Sequence, residues 1–268
     1  MHERILNVQG LAFTTCKQRT ISFASGKRRK DRNERYAKGM VVKTSIDRVV
    51  FVSVIHTDTD SLEEARRVVL ETEPDVVAVE LDHARYAQLT NPDVSEEDFI
   101  PDSGDMISQL LNQIALLEDG LGSLSGTSAG EEMLAAIEAG KKTGAKIALI
   151  DRPIHATAQA LLKIPLDEIY KMTNLIPDAT EDIQNGGAVD IMAILKEDGA
   201  IDKLMDEFRE EFPNIAKVLI EDRDEYIADA ILTLLGDVDG KVVVVLGAGH
   251  IDGVKKALQR ALKAKSAS

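Results

Sequence analysis

Two histidines and a glutamate stand at the ends of apolar runs. His56 follows Arg48-Val-Val-Phe-Val-Ser-Val-Ile, and His250 follows Lys241-Val-Val-Val-Val-Leu-Gly-Ala-Gly. Glu80 closes Val76-Val-Ala-Val. Runs of this kind read as strands buried on both faces of a parallel sheet. Ligands of open α/β sheets bind outside the carboxyl ends of the strands. If the strands are neighbours, the three side chains share one crevice, where imidazole and carboxylate serve metal ligation or proton transfer. A carboxylate ending such a run is costly to bury unless it is paired, protonated or bound to metal. Arg152 follows the strand Lys146-Ile-Ala-Leu-Ile150 to the same edge, where it would hold Glu80 ionised or steady an oxyanion.

Other candidates carry less. His250 reads equally as a ligand and as a capping or core histidine. Asp58 and Asp60 would ligate metal or favour the start of the next helix through its dipole. Arg223, in Glu221-Asp-Arg-Asp-Glu225, reads on pattern alone as part of a solvated helix face. His83 would be a second group beyond Glu80, and His155 a helix-start residue near Arg152. His2 and Cys16 carry little signal. Gly247-x-Gly249 with Gly253 resembles a dinucleotide fingerprint, but that motif needs a further acidic strand end about 20 residues on. The chain has 18 residues after His250. There is no His-Glu-x-x-His, Gly-x-Ser-x-Gly, phosphate-binding Gly-x-x-x-x-Gly-Lys or Cys-x-x-Cys.

The elements that must position these groups are legible from Asp47 onward. Strand 48–55 leads to a helix at about Ser61–Glu73, where Ser61 and Glu64 match a capping box. Pro74-Asp75 stops the helix, and 76–81 is the second strand of a parallel, right-handed strand–helix–strand unit. Residues 90–105 read as a polar loop, 106–117 as a helix and 119–130 as a Gly/Ser-rich loop. A helix over Gly130–Gly140 precedes the third strand, 146–150. Residues 155–235 are mostly helical, with breaks at Pro165, Pro177, Gly186-Gly187, Gly199 and Pro213. A final strand and an amphipathic helix, Ile251–Lys263, follow. The expected fold is α/β, a mostly parallel sheet with flanking helices and a helical insertion (155–235) over its carboxyl edge.

Charge divides the chain. Residues 1–44 hold 11 Lys and Arg against 3 Asp and Glu, and the rest holds 21 against 43. Residues 1–45 thus read as a basic flexible tail or an extension upstream of a start at Met40, and 46–265 as the folded domain. An acidic body argues against nucleic acid as its ligand. No window is long and apolar enough for an integral membrane segment, and no secretory signal is evident. The single cysteine fits a reducing, cytoplasmic setting. Homo-oligomerisation is left open.

In combination these segments resemble the TraB family, related to the Tiki proteases and more distantly to the erythromycin esterases. The resemblance spans about residues 48–263. It rests on Ser53-Val-Ile-His56 with Val79-Glu80-Leu81-Asp82, on Gly130-Glu-Glu-Met with Asp151-Arg152, on Glu221-Asp-Arg223-Asp-Glu-Tyr226 and on Gly247-Ala-Gly-His250. It implies His56 and His250 as ligands of a divalent metal, with Glu80 as third ligand or general base and Arg152 and Arg223 as carboxylate- or oxyanion-binding groups. Two imidazoles and a carboxylate suit Mn²⁺ or Co²⁺ more than a closed Zn²⁺ site. The expected activity is metal-dependent, peptidase-like hydrolysis. Bacterial relatives act in shutdown of peptide pheromones, which suggests a peptide or small-molecule substrate. Ser53 stands where the family's first motif has glycine, which favours an alternative, a protein that binds its ligand without cutting it. A metal-free, esterase-like hydrolase with His56 as base is the other alternative.

Overall fold

The computed structural model describes residues 5–7, 45–55, 59–91, 93, 106–111, 113, 130–182 and 193–266, with backbone only for 5–7, 177–182 and 266. Five strands form one parallel sheet: β1 (Ile5–Asn7), β2 (Val49–Val54), β3 (Val76–Val79), β4 (Lys146–Leu149) and β5 (Val242–Gly247), in the order β1-β4-β3-β5-β2. Every residue of β3 and β5 is buried, as the unbroken apolar runs require. Burying one valine contributes about 1.5–3 kcal/mol, so these central strands anchor the fold.

Helices cover both faces. On one, α8 (Asp222–Asp237) and α9 (Ala248–Ser266) pack Ile227, Ile231, Leu235, Val254 and Leu258 against Ala78, Val244 and Leu246. On the other, α1 (Thr59–Thr72) and α3 (Glu131–Thr143) pack Ala65, Val69, Met133 and Ile137 against Val77, Val79 and Val245. The odd and even positions of each central strand thus serve different layers. α2 (His83–Thr90) follows β3. The helical insertion comprises α4 (Ile154–Leu161), α5 (Leu166–Asp182), α6 (Ala200–Glu211), α7 (Pro213–Ala216) and a π turn, Lys217–Glu221. It has its own core of Leu161, Ile169, Phe212 and Ile215, joined by Leu110. Met205 of α6 lies against Gly249 at the start of α9, which brings the insertion to the carboxyl edge of β5.

Several local expectations change. Residues 5–7, expected in the tail, pair with β4 as an edge strand. β2 and β3 are parallel but not hydrogen-bonded to each other, because β5 lies between them. Ser61 is not the N-cap: the helix begins at Thr59, and the buried Ser61 hydroxyl accepts the Ile55 N–H at 3.0 Å, tying the end of β2 to α1. Glu64 pairs with Arg67 on the surface. Pro177 does not end its helix, which runs to Asp182. α9 starts at Ala248, so His250 sits in a first helical turn rather than a loop. The loop expected over 119–130 lies outside the described residues apart from Gly130, and Gly186-Gly187 lies wholly outside them. No helix among the described residues is long and apolar enough to cross a membrane.

Gly140 marks where α3 comes closest to the sheet. A Cβ there would lie 2.8 Å from Val77 Cγ2 and 3.0 Å from Ile147 Cδ1. Alanine gains about 1 kcal/mol in helix propensity over glycine. Overpacking against these buried side chains costs about 1–3 kcal/mol, and the fully buried Val77 has no room to retreat. Gly140→Ala is therefore expected to lower stability by about 1 kcal/mol net, seen as a lower urea midpoint with an unchanged m-value.

Candidate functional site

All strands being parallel, their carboxyl ends share one edge. Glu80 is the first residue beyond β3, and its own N–H still bonds the Val245 carbonyl, 3.1 Å away. That backbone contact fixes the side chain beside the end of β5, where Glu80 Oε2 accepts the Gly247 N–H at 2.7 Å. Glu80 Oε1 meets Arg223 Nη2 at 2.8 Å. The same guanidinium grips Asp151, just past β4, with Nε at 3.1 Å and Nη2 at 2.8 Å. Its Nη1 donates to the Leu219 carbonyl in the π turn. Arg223 thus bridges carboxylates delivered by two strands.

His250 lies on the other side of Glu80, with Nε2 3.4 Å from Oε1. Its Nδ1 is 2.7 Å from Oδ1 of the buried Asp224. Burial pushes the Asp224 carboxyl above its usual range, and the contact with His250 acts in the opposite direction. Arg223 and Asp224 are adjacent in the first turn of α8 yet face different partners. The preceding π turn sets that register, and such turns recur at functional sites.

Asp82 supports the rim. Its Oδ1 caps α2 through the Arg85 N–H at 2.8 Å, and its Oδ2 accepts the Ile154 N–H at 2.7 Å, fixing the start of α4. Tyr226 is half-buried nearby, and burial, followed by the charges of Asp151 and Asp82, raises its phenol above the ordinary value.

Of the sequence-expected residues, the structure gathers Glu80, Arg223 and His250. Of the two roles foreseen for Arg152, pairing with Glu80 falls to Arg223. Arg152 instead donates from Nη2 to the Ala156 carbonyl at 3.2 Å, with Nη1 3.9 Å from Asp222. Arg152 Nη1 and His83 Nε2 are buried without a hydrogen-bond partner among the described residues. His56 and Asp58 lie outside the described residues. The strand leading to His56 is the neighbour of β5, with Val54 opposite Gly247, so the adjacency needed for convergence of the two histidines is met by their strands. Asp60 is exposed and pairs with Lys196, and His155 is exposed. Ser53 is exposed on the edge strand. Among the described residues no three His, Cys, Asp or Glu side chains form a metal-type cluster.

Asp224 and Asp151 were not foreseen as site residues. A signal for Asp224 existed. The buried stripe Ile227, Ile231, Leu235, carried one turn back, falls on Asp224, so the charged run hides an inward-facing carboxylate.

A parallel sheet whose carboxyl edge gathers a histidine, an arginine and three carboxylates defines an α/β protein with a cluster of ionisable side chains at the strand ends. A sequence profile of the TraB/PrgY/gumN family matches residues 41–266, and the chain belongs to that family. An uncharacterized protein of Methanocaldococcus jannaschii is 28% identical over 217 residues, covering 79% of this chain and 53% of its own length. TraB domain-containing proteins of Bos taurus and Mus musculus are each 25% identical, over 86% and 78% of this chain and 68% and 62% of their own lengths. The chain therefore spans little more than half of the archaeal relative and under two thirds of the mouse one.

The Glu80–Arg223 pair is buried on the glutamate side, at 3% exposure, and only 22% exposed at the arginine. Removing one partner of such a pair costs about 3–5 kcal/mol, far more than removing both. Arg223→Ala is expected to lose stability on that scale, and Glu80→Gln/Arg223→Met to lose clearly less than the sum of its single changes, in urea titrations of the full cycle.

Because the folded state raises the Tyr226 phenol, the neutral form is favoured on folding. That contribution is complete below the unfolded value of about 10 and is lost as pH rises through the higher folded value. The stability difference between the wild type and Tyr226→Phe should be flat to about pH 9 and then fall. Absorbance at 295 nm should show one phenol titrating late in the wild type and absent from the variant.

Proposed function

We propose that this chain is a hydrolase whose site lies at the carboxyl edge of β3 and β5, with metal-dependent, peptidase-like chemistry. One observation supports this above others: His250 Nε2 and Glu80 Oε1 face each other at 3.4 Å in a buried setting. That separation suits two donors to one first-row divalent ion, with bonds of about 2.0–2.2 Å. His250 and Glu80 would hold the ion, with His56 as the further donor from the neighbouring strand, and Mn²⁺ or Co²⁺ suits this set better than Zn²⁺. Such an ion supplies Lewis acidity that makes water a nucleophile near neutral pH.

The chain's own groups do the rest. Arg223 and the Gly247 N–H orient the Glu80 carboxylate, which would take a proton from the attacking water. Arg152, with an Nη1 that lacks a hydrogen-bond acceptor among the described residues, is a donor for a developing oxyanion on the same edge. The insertion reaches this edge through Met205 and the π turn. A peptide substrate rests on the family resemblance, not on a contact in the structure.

A metal-free hydrolase is the second reading, favoured by the two donors already on Glu80: Arg223 on one oxygen and a backbone N–H on the other. In that case His250 is the base. The test is hydrolysis of a peptide library by the chelator-treated protein, with and without Mn²⁺ or Co²⁺, alongside metal content by elemental mass spectrometry. The expected outcome is a stoichiometric ion and metal-restored turnover, both lost in His250→Ala. Chelator-resistant turnover selects the metal-free reading. Absence of turnover in every condition, with His250→Ala indistinguishable from the wild type, sinks the hydrolase.

A further inference from the structure

Asp224 is buried, yet it lies in a charged run on a helix whose other acids face outward. Its Oδ1 sits 2.7 Å from His250 Nδ1. Its Oδ2 occupies space that almost any other residue at position 253 would fill. A Cβ on Gly253 would stand 1.8 Å from Oδ2 and 2.7 Å from Asp224 Cγ. Gly253 is helical and one turn beyond His250 on α9, so its lack of a side chain serves close approach rather than backbone freedom. A glycine in a helix interior costs about 1 kcal/mol relative to alanine. Here it opens a slot on the same helix face as the histidine.

The partner of one imidazole nitrogen decides what the other can do. A carboxylate at Nδ1 retains the proton there and leaves Nε2 as a lone-pair donor, the arrangement that metal-ligating and general-base histidines share. On the far side of the ring, Nε2 faces Glu80 Oε1 at 3.4 Å, longer than an ordinary hydrogen bond, whereas Nδ1 is 2.7 Å from Asp224, so the single proton of a neutral ring falls to Nδ1. We propose that Asp224 is the positioning residue of this site, its carboxylate seated in the slot left by Gly253 so that His250 is held by Nδ1–H and presents the Nε2 lone pair beside Glu80. The inference deepens the hydrolase reading and assigns work to two residues outside the ligand set. It holds for a metal-bound and for a metal-free site alike.

The tautomer of His250 can be read without substrate or metal. The full chain, labelled with ¹⁵N-histidine and treated with chelator, is examined at pH 8 by long-range ¹H–¹⁵N correlation, with His250→Gln assigning the signal. The expected wild-type spectrum has a protonated Nδ1 and an unprotonated Nε2. Asp224→Asn keeps an oxygen acceptor and should keep that tautomer. Asp224→Ala should shift the population to Nε2–H. Gly253→Ala, which forces the carboxylate out of the slot while improving helix propensity, should do the same in a folded protein. A wild-type ring protonated at Nε2, or on both nitrogens, overturns the proposal. So does a Gly253→Ala spectrum identical to the wild type, a readout that survives even if Asp224→Ala fails to fold. Absence of hydrolysis would count against the function above and leave this result intact.

Discussion

The burial of Glu80 is the constraint on which the site depends. A lone carboxylate at the end of a fully buried strand would cost several kcal/mol, so its neighbours must compensate for it. The Gly247 N–H and the Arg223 guanidinium do so from two separate elements. Meeting that demand locates the end of β5 and the first turn of α8 relative to β3. Asp151 then balances the arginine, and through it β4 joins the same network. Four segments distant in sequence are held in one arrangement because no single one could leave its charge unpaired.

The parallel sheet makes that network possible. With all strands running the same way, the residues after Val79, Leu149 and Gly247 emerge at one edge. The two helical layers lock the strands through alternating side chains, and the central strands β3 and β5 carry no polar side chain before their ends. The insertion, with its own core, reaches this edge through Met205 and the π turn. The site thus sits between a rigid sheet and a separately packed helical block, a common place for ligand clefts.

Much of the site was legible before any fold was known. Glu80 is conspicuous because a carboxylate ends a run of valine and alanine. His250 is conspicuous because glycines and a strand end precede it. Arg223 and Asp224 were less so, since a run of five charged residues looks like a solvated surface until the helix it begins is packed. Arg152 shows the opposite case. Its position after β4 placed it correctly at the edge, but proximity along the chain did not decide which arginine would reach Glu80. The capping-box reading of Ser61 failed because the helix begins two residues earlier, at Thr59, and the hydroxyl accepts the Ile55 N–H at the end of β2 instead.

The sequence by itself determined the α/β class, the buried central strands, the carboxyl edge as the polar edge and the presence there of Glu80 and His250. These follow from short-range rules: apolar continuity, the period of side chains along a strand, and the cost of burying charge. Only the tertiary structure decided that β5 separates β2 from β3, that Arg223 rather than Arg152 neutralises Glu80, and that Asp224 turns inward onto His250. The β2–β5 pairing and the Glu80–Arg223 pair join residues more than a hundred positions apart, and the Asp224–His250 pair joins residues 26 apart on two helices; no local pattern encodes which of several equivalent partners will arrive. The slot at Gly253 belongs to the same class, because a missing side chain has meaning only once the group that fills its place is known.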